Sequence, residues 1–72
     1  MQVETSKGSR LRVLREAQGK SLAHMERRTG FDKGYISKVE RGLQRPSIDF
    51  LQAAARELGL RDVSEVLERF WP

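Results

Sequence analysis

The sequence predicts an all-α fold, a single domain of five short helices over residues 1–72. Apolar residues recur at spacings of three and four rather than two, which is the helical period. Glycine, proline and capping residues interrupt this pattern and leave connections of two to five residues, as in a compact helical bundle. β-branched residues are few and no hairpin signal is present, so a sheet protein is disfavoured.

Two helices are predicted near the start of the chain. Leucines three apart predict a helix over residues 7–18, and Gly19 follows it as a stop signal. The second helix is predicted over residues 21–29, because Ser21 is a favourable N-cap and Gly30 is a favourable residue after a helix end.

The third predicted helix follows the second after a very short turn. It covers residues 33–41, between the N-cap candidate Asp32 and Gly42. Only residues 30–32 separate the two helices, which is too few to fold them back antiparallel. They must therefore cross steeply, as in a helix-turn-helix. Gly30 suits the left-handed conformation that such a turn favours.

Two more helices are predicted in the remainder of the chain. The fourth covers residues 47–58, after Pro46 and with Ser47 as its cap. The fifth covers residues 62–70, with Asp62 as its cap candidate. Connections on both sides stay short, which completes the predicted five-helix domain.

Charge and composition narrow the function classes. The net charge is +4, but residues 1–45 carry 11 Lys/Arg against 5 Asp/Glu, whereas residues 46–72 carry 3 against 5. A basic first part favours a polyanionic partner. The chain has no cysteine, one histidine, no nucleophile–base pair and no phosphate-binding glycine loop, so we expect no enzyme, metal or cofactor. No signal peptide or membrane span is predicted, so we expect a cytoplasmic protein without a membrane partner.

The third helix has one apolar stripe and one polar face. Ile36 and Val39 are predicted to point inward. The residues left outside are Lys33, Gly34, Ser37, Lys38 and Arg41. Lysine can donate to guanine edges or phosphate, and serine can donate or accept at any base edge, so this face suits the DNA major groove. Gly34 either permits close approach to DNA or is a tolerated glycine in a first turn, and both interpretations stay open.

Three stretches within about residues 9–60 together resemble a known family: LRVLREAQGKSL, TGFDKGYISKVERG and RPSIDFLQAAARELGL. The pattern is similar to the Cro-like and phage-repressor-like helix-turn-helix regulators, the XRE-type, lambda-repressor-like group. This resemblance implies a DNA-binding domain of five helices whose third helix is the recognition helix. It also implies a sequence-specific transcription regulator, a bacterial or phage repressor that binds a palindromic operator in double-stranded DNA as a homodimer.

The resemblance also assigns roles to individual residues. Base edges would be read by Lys33, Gly34, Ser37 and Lys38. Phosphates would be contacted by Ser21, Tyr35, Arg41, Gln44 and Arg45. Arg15 and Glu40 would form an ion pair between the first and third helices, because each lies on an otherwise inward-facing side and is costly alone.

The sequence departs from the family pattern at two positions of the second helix. Leu22 stands where the family often has a phosphate-anchoring glutamine, so Ser21 or backbone N–H groups would substitute. Glu26 stands where the family usually has alanine, so its carboxylate must lean into solvent or find a cation, and we expect the two helices to open slightly. The candidate cations are Lys20, Arg27 and Arg28.

Three further side chains carry expectations of their own. His24 is interpreted as solvated or half-packed rather than as a phosphate contact or pH switch. Tyr35 is expected to pack against the second helix, with its hydroxyl free to reach a phosphate. Trp71 would be exposed in a monomer, which predicts a symmetric dimer through the fifth helix. The dimer candidates are Val63, Leu67, Phe70 and Trp71.

Two alternatives to a self-contained repressor stay open. An antitoxin or protein-interaction module would hold a toxin with the fifth helix or a flank, and such antitoxins share this fold and often bind DNA as well. A fragment of a larger regulator would have lost its sensor domain, although Met1 and the aromatic residues 70–71 before the terminal proline suggest a complete small protein.

Overall fold

The structure is a computed structural model that describes residues 7–60, with side chains from residue 10 onward. It contains α1 (Lys7–Ala17), α2 (Leu22–Thr29), α3 (Lys33–Glu40) and α4 (Ile48–Leu58), and no strand lies within residues 7–60. The all-α prediction is confirmed for this part of the chain, and each helix begins and ends within one residue of its predicted bounds. The predicted fifth helix, residues 62–70, and the dimer candidates Val63, Leu67, Phe70 and Trp71 lie outside the described residues.

Three of the four helices begin at a side-chain cap. The Ser21 hydroxyl accepts a hydrogen bond from the N–H of His24 at 3.0 Å, and the Ser47 hydroxyl accepts one from Phe50 at 3.1 Å. Asp32 caps α3 through its carboxylate. Each such cap stabilises a helix by about 1 kcal/mol, because it satisfies a backbone donor that has no partner within the helix. For α2, α3 and α4, the capping residues predicted from the sequence are those observed.

The turn between α2 and α3 depends on a glycine. Gly30 has φ = 81°, in the left-handed region, and its N–H donates to the carbonyl of Glu26 at 2.9 Å. A residue with a Cβ atom is disfavoured in this conformation. The chain therefore ends α2 and begins α3 within three residues, as the sequence predicts for a helix-turn-helix.

The core lies where α2 and α4, α2 and α3, and α1 and α3 pack together. Its buried hydrophobic residues are Leu11, Met25, Ile36, Val39, Phe50, Leu51, Ala54, Ala55 and Leu58. Phe31 in the turn packs against this core, with its ring edge-on to Phe50 at a centroid distance of 5.3 Å. Because the buried stripe of α3 consists of Ile36 and Val39, the opposite side of α3 faces outward.

Candidate nucleic-acid interface

The outward side of α3 is a cationic surface. Lys33, Gly34 and Lys38 are exposed and Ser37 is half-buried, so the four predicted base-reading residues lie on one face of one helix. Within residues 10–60, neither lysine forms an ion pair or a side-chain hydrogen bond. Both ammonium groups are therefore available to an external acceptor.

The loop after α3 extends this surface. All the candidate phosphate contacts of this loop are accessible to a partner, because the exposed residues include Arg41, Gln44 and Arg45 as well as Leu43. The Arg41 guanidinium donates to the carbonyl of Ser37 at 3.4 Å, and the Gln44 amide donates to the carbonyl of Arg45 at 3.4 Å. These contacts leave four of the five N–H donors of Arg41 and one of the two of Gln44 unused. We call Lys33, Lys38, Arg41 and Arg45 the cationic surface.

A cleft of about 390 Å³ lies between α1, α2 and α3, beside the cationic surface. Its lining includes Ser21, Leu22, Ser37 and Arg41, so residues predicted to contact phosphates and a base share one concave site. The Ser21 hydroxyl already accepts the capping hydrogen bond from His24 N–H. A hydroxyl has a second lone pair and a proton, so this cap leaves Ser21 able to donate to an anion.

The structure explains why glycine occupies position 34 in a way that the sequence did not suggest. Its N–H donates to Oδ2 of Asp32 at 2.8 Å, and a Cβ atom built at Gly34 would lie 2.8 Å from the same oxygen. Any larger residue would have to displace the carboxylate that caps α3. The absence of a side chain at Gly34 therefore leaves room for the cap.

Tyr35 packs on different neighbours from those expected. Its ring stacks on Phe31 at a centroid distance of 5.6 Å and meets Phe50 of α4 edge-on at 5.4 Å. The ring was expected to pack against α2, but these contacts are with the turn and with α4. The hydroxyl oxygen accepts a hydrogen bond from the N–H of Ser47 at 2.9 Å. Its proton has no acceptor among residues 10–60, so Tyr35 can donate to a phosphate while it still accepts the hydrogen bond from Ser47.

Arg15 and Glu40 form the ion pair that the family resemblance implied. Arg15 Nε donates to Glu40 Oε2 at 2.7 Å, and a second guanidinium nitrogen donates to Oε1 at 3.0 Å. The remaining guanidinium nitrogen donates to the carbonyl of Lys20 at 2.7 Å. The hydrogen bond with Glu40 raises the pKa of Arg15 above its usual value. The pair fixes α3 against α1 at the cleft that adjoins the cationic surface.

Glu26 does not pair with any of the three cations considered from the sequence. Its carboxylate accepts a hydrogen bond from the N–H of Lys33, the first residue of α3, at 3.4 Å. Of the two alternatives, solvent or a cation, the cation is not found among residues 10–60, and the carboxylate meets the N-terminus of α3 instead. Helix N-termini carry partial positive charge and unpaired N–H groups, which a carboxylate stabilises. Glu26 and Asp32 therefore both bind the first turn of the recognition helix candidate.

Glu57 of α4 is the centre of a charged cluster that the sequence analysis missed. His24 Nε2 lies 2.6 Å, Arg28 Nε 3.0 Å and Lys20 Nζ 3.4 Å from its carboxylate oxygens. The hydrogen bonds with His24 and Arg28 lower the pKa of Glu57 to about 2. His24 and Arg28 are spaced by four, which was the available signal that they lie on one side of α2, and Lys20 precedes His24 by the same interval.

His24 itself is half-buried, as one of its interpretations held, but it is bound to Glu57 rather than solvated. Lys20 also donates to the carbonyl of Glu57, and Gln18 donates to that of Leu58 at 2.9 Å. The segment that connects α1 to α2 is therefore bound to the last turn of α4. This arrangement holds α2, the first helix of the helix-turn-helix, against the core.

A metal site and a membrane-spanning helix are two further features for which residues 10–60 can be inspected. No group of three or more His, Cys, Asp or Glu side chains in this part of the chain could hold a metal ion. None of the helices α1–α4 is long and apolar enough to cross a membrane.

Two short helices joined by a three-residue turn, the second with a cationic outer face, are typical of helix-turn-helix proteins. The chain belongs to the helix-turn-helix domain family, whose model matches residues 8–68. The resemblance to XRE-type helix-turn-helix regulators is confirmed at this level.

Several known proteins are similar to this chain. It is 42% identical over 60 residues to the uncharacterized HTH-type transcriptional regulator Rv0474 of Mycobacterium tuberculosis (strain ATCC 25618 / H37Rv), covering 83% of this chain and 41% of that protein. It is 36% identical over 59 residues to the uncharacterized HTH-type transcriptional regulator y4dJ of Sinorhizobium fredii (strain NBRC 101917 / NGR234), covering 82% and 77%. The chain therefore spans less than half the length of the mycobacterial relative.

A solved structure has the same fold. The crystal structure of SinR, a master regulator for biofilm formation, in complex with DNA matches this chain with a TM-score of 0.75 and 35% sequence identity. The match covers 85% of this chain and 97% of the SinR chain. Both the order of the helices and their packing are thus shared with a regulator that was crystallised on DNA.

Proposed function

We propose that this chain is the DNA-binding domain of a sequence-specific transcription regulator. One observation carries the proposal: within residues 10–60, the four cations of the cationic surface form no ion pair with an acidic side chain. Unpaired cations gathered on one exposed surface attract an external polyanion. The similarity to SinR, which was crystallised with DNA, supports DNA as that polyanion.

In this proposal α3 enters the major groove. Lys33, Ser37 and Lys38 donate to base edges, and Gly34 allows the start of α3 to approach the bases closely. Phosphates on either side are held by Ser21, Tyr35, Arg41, Gln44 and Arg45. The ion pair of Arg15 with Glu40 holds the recognition helix at a fixed angle to α1. Base contacts give sequence preference, and phosphate contacts give most of the affinity.

We further propose that the regulator is a repressor that acts as a dimer on a palindromic operator. Two copies of α3 would enter successive major grooves about 34 Å apart and exclude the transcription machinery sterically. In this proposal the predicted fifth helix joins the two copies. Sedimentation of the chain with and without operator DNA tests the dimer, and a monomer mass under both conditions contradicts it. Its site of action is the cytoplasm, where the chromosome of a bacterium lies.

A charge-reversal experiment tests DNA binding at the cationic surface. Lys38→Glu and Arg56→Glu change the net charge equally, and both residues are exposed and without an ion pair among residues 10–60. Only Lys38 lies on the outward side of α3, so Lys38→Glu should abolish binding to a fluorescent duplex while Arg56→Glu weakens it slightly. Equal losses would show attraction to overall charge and contradict a specific interface. For the unaltered chain, log K should fall with log salt by about 0.9 per phosphate contact.

A further inference from the structure

The loop between α3 and α4 is bound at both ends to α3 itself. At its start, the N–H of Leu43 donates to the carbonyl of Lys38 at 2.8 Å, and Gly42 has φ = 78°. At its end, the N–H of Ser47 donates to the hydroxyl of Tyr35 at 2.9 Å. Between these two anchors lie four residues, Leu43–Pro46, which include the phosphate candidates Gln44 and Arg45.

The second anchor is held rigidly by an aromatic cluster. The ring of Tyr35 is stacked on Phe31 and lies edge-on to Phe50, which is fully buried. A tyrosine ring fixed on two sides places its hydroxyl at one point in space. Pro46, just before Ser47, has a fixed φ and no N–H, so it cannot supply a substitute donor at this end of the loop.

We propose that Tyr35 is a positioning residue for DNA binding. Its hydroxyl holds the loop Leu43–Pro46 at a set distance from the base-reading face of α3. This inference rests on the proposed function, because it assigns to Tyr35 a role in presenting Arg45 and Gln44 to the phosphates. Both loop anchors belong to α3, so the groups that read bases and the groups that contact phosphates move as one unit.

Tyr35→Phe tests the proposal because it keeps the ring and removes only the hydroxyl. Binding of the full chain to a fluorescent duplex of mixed sequence should weaken about fivefold, the factor that corresponds to one ordinary hydrogen bond. A direct contact of the Tyr35 hydroxyl with a phosphate would produce a similar loss. The two roles are separated by combining Tyr35→Phe with Arg45→Ala.

If Tyr35 acts through the loop, the two losses overlap. Arg45→Ala should then weaken binding about tenfold in the unaltered chain and less than about threefold in Tyr35→Phe, because Arg45 is already displaced. Lys33→Ala, the matched control outside the loop, should weaken binding by the same factor in both backgrounds. Losses from Tyr35→Phe and Arg45→Ala that multiply fully would overturn the positioning role.

A measurement without DNA tests the same hydrogen bond. Exchange of the Ser47 amide proton, followed by NMR, should be faster in Tyr35→Phe, while the amides of α2 should keep their rates. An unchanged Ser47 amide would overturn the inference even if the DNA affinity fell. Failure of the unaltered chain to bind any duplex would overturn the proposed function as well, so the two failures are distinguishable.

Discussion

Glu40 on α3 accepts two hydrogen bonds from the guanidinium of Arg15 on α1, at 2.7 and 3.0 Å, and only 4% and 7% of the two side chains are exposed. Glu40→Ala leaves the Arg15 charge buried without its partner. We expect a loss of about 3 kcal/mol in the free energy of unfolding. Urea unfolding followed by circular dichroism measures it, and an unchanged midpoint would contradict the assignment.

A double variant separates the value of the pair from the cost of breaking it. Replacing both residues with apolar side chains, as in Arg15→Met with Glu40→Leu, removes both buried charges together. We expect the double variant to be more stable than Glu40→Ala, because no charge is left uncompensated. If the double variant is instead less stable than Glu40→Ala, the ion pair contributes to the free energy of unfolding beyond neutralising two buried charges.

Glu57 gives the fold an acid sensitivity. Its pKa is lowered from 4.5 to about 2 in the folded state by the hydrogen bonds with His24 and Arg28. A carboxylate whose pKa is lower in the folded than in the unfolded chain stabilises the fold at any pH above its unfolded-state pKa. This contribution is lost as the pH falls from about 4.5 to about 2. Glu57→Gln should therefore lower the urea midpoint at neutral pH and flatten its dependence on pH in that window.

Glu16→Gln is the matched control for Glu57→Gln. Glu16 pairs with Arg12 one helical turn away, and both side chains are about half exposed. Exposed pairs of this kind contribute about 0.3–0.5 kcal/mol, so the variant should hardly change the midpoint. Equal effects of both substitutions would show that the Glu57 cluster has no special role.

Gly34 offers a test of helix capping. Alanine at this position gains up to about 1 kcal/mol in helix propensity but pushes against the Asp32 carboxylate that caps α3. Gly34→Ala should thus leave the free energy of unfolding nearly unchanged in the natural sequence. In an Asp32→Ala background, where no cap can be displaced, the same substitution should stabilise the fold. Equal stabilisation in both backgrounds would contradict the proposed conflict.

Helix ends could be predicted from the sequence because the interactions that form them are local. Ser21 and Ser47 bind an N–H three residues ahead, and Gly30 needs only its own backbone conformation. The Arg15–Glu40 pair came from the family resemblance, since spacing alone cannot join residues on two helices. That part of the site was accessible only through a known pattern.

The contacts that the sequence did not reveal all join distant segments. Glu57 meets His24 across α2 and α4, and Tyr35 meets Ser47 across the loop. Their formation depends on the angle at which helices pack, which neither periodicity nor composition specifies. The contact of Glu26 with the N-terminus of α3 was missed for the same reason, because the position of that N-terminus relative to α2 was unknown.

Lys38 and Arg45 should affect DNA recognition differently. Lys38 faces outward from α3, so Lys38→Ala should change the order of preference among operator variants. Arg45 lies in the loop, so Arg45→Ala should weaken binding to all variants by a similar factor. Arg56→Ala removes the same charge outside the interface and serves as the control. Uniform losses for both Lys38→Ala and Arg45→Ala would refute the division of roles.

The central claim is that this domain reads DNA sequence as a symmetric pair. Selection of bound sites from a random duplex library by the full chain, followed by sequencing, tests it most directly. We expect enrichment of a palindrome whose half-site centres are about 10 base pairs apart, one turn of the double helix. A selected pool with no enriched sequence, at a salt concentration where the chain binds duplex DNA, would contradict the claim.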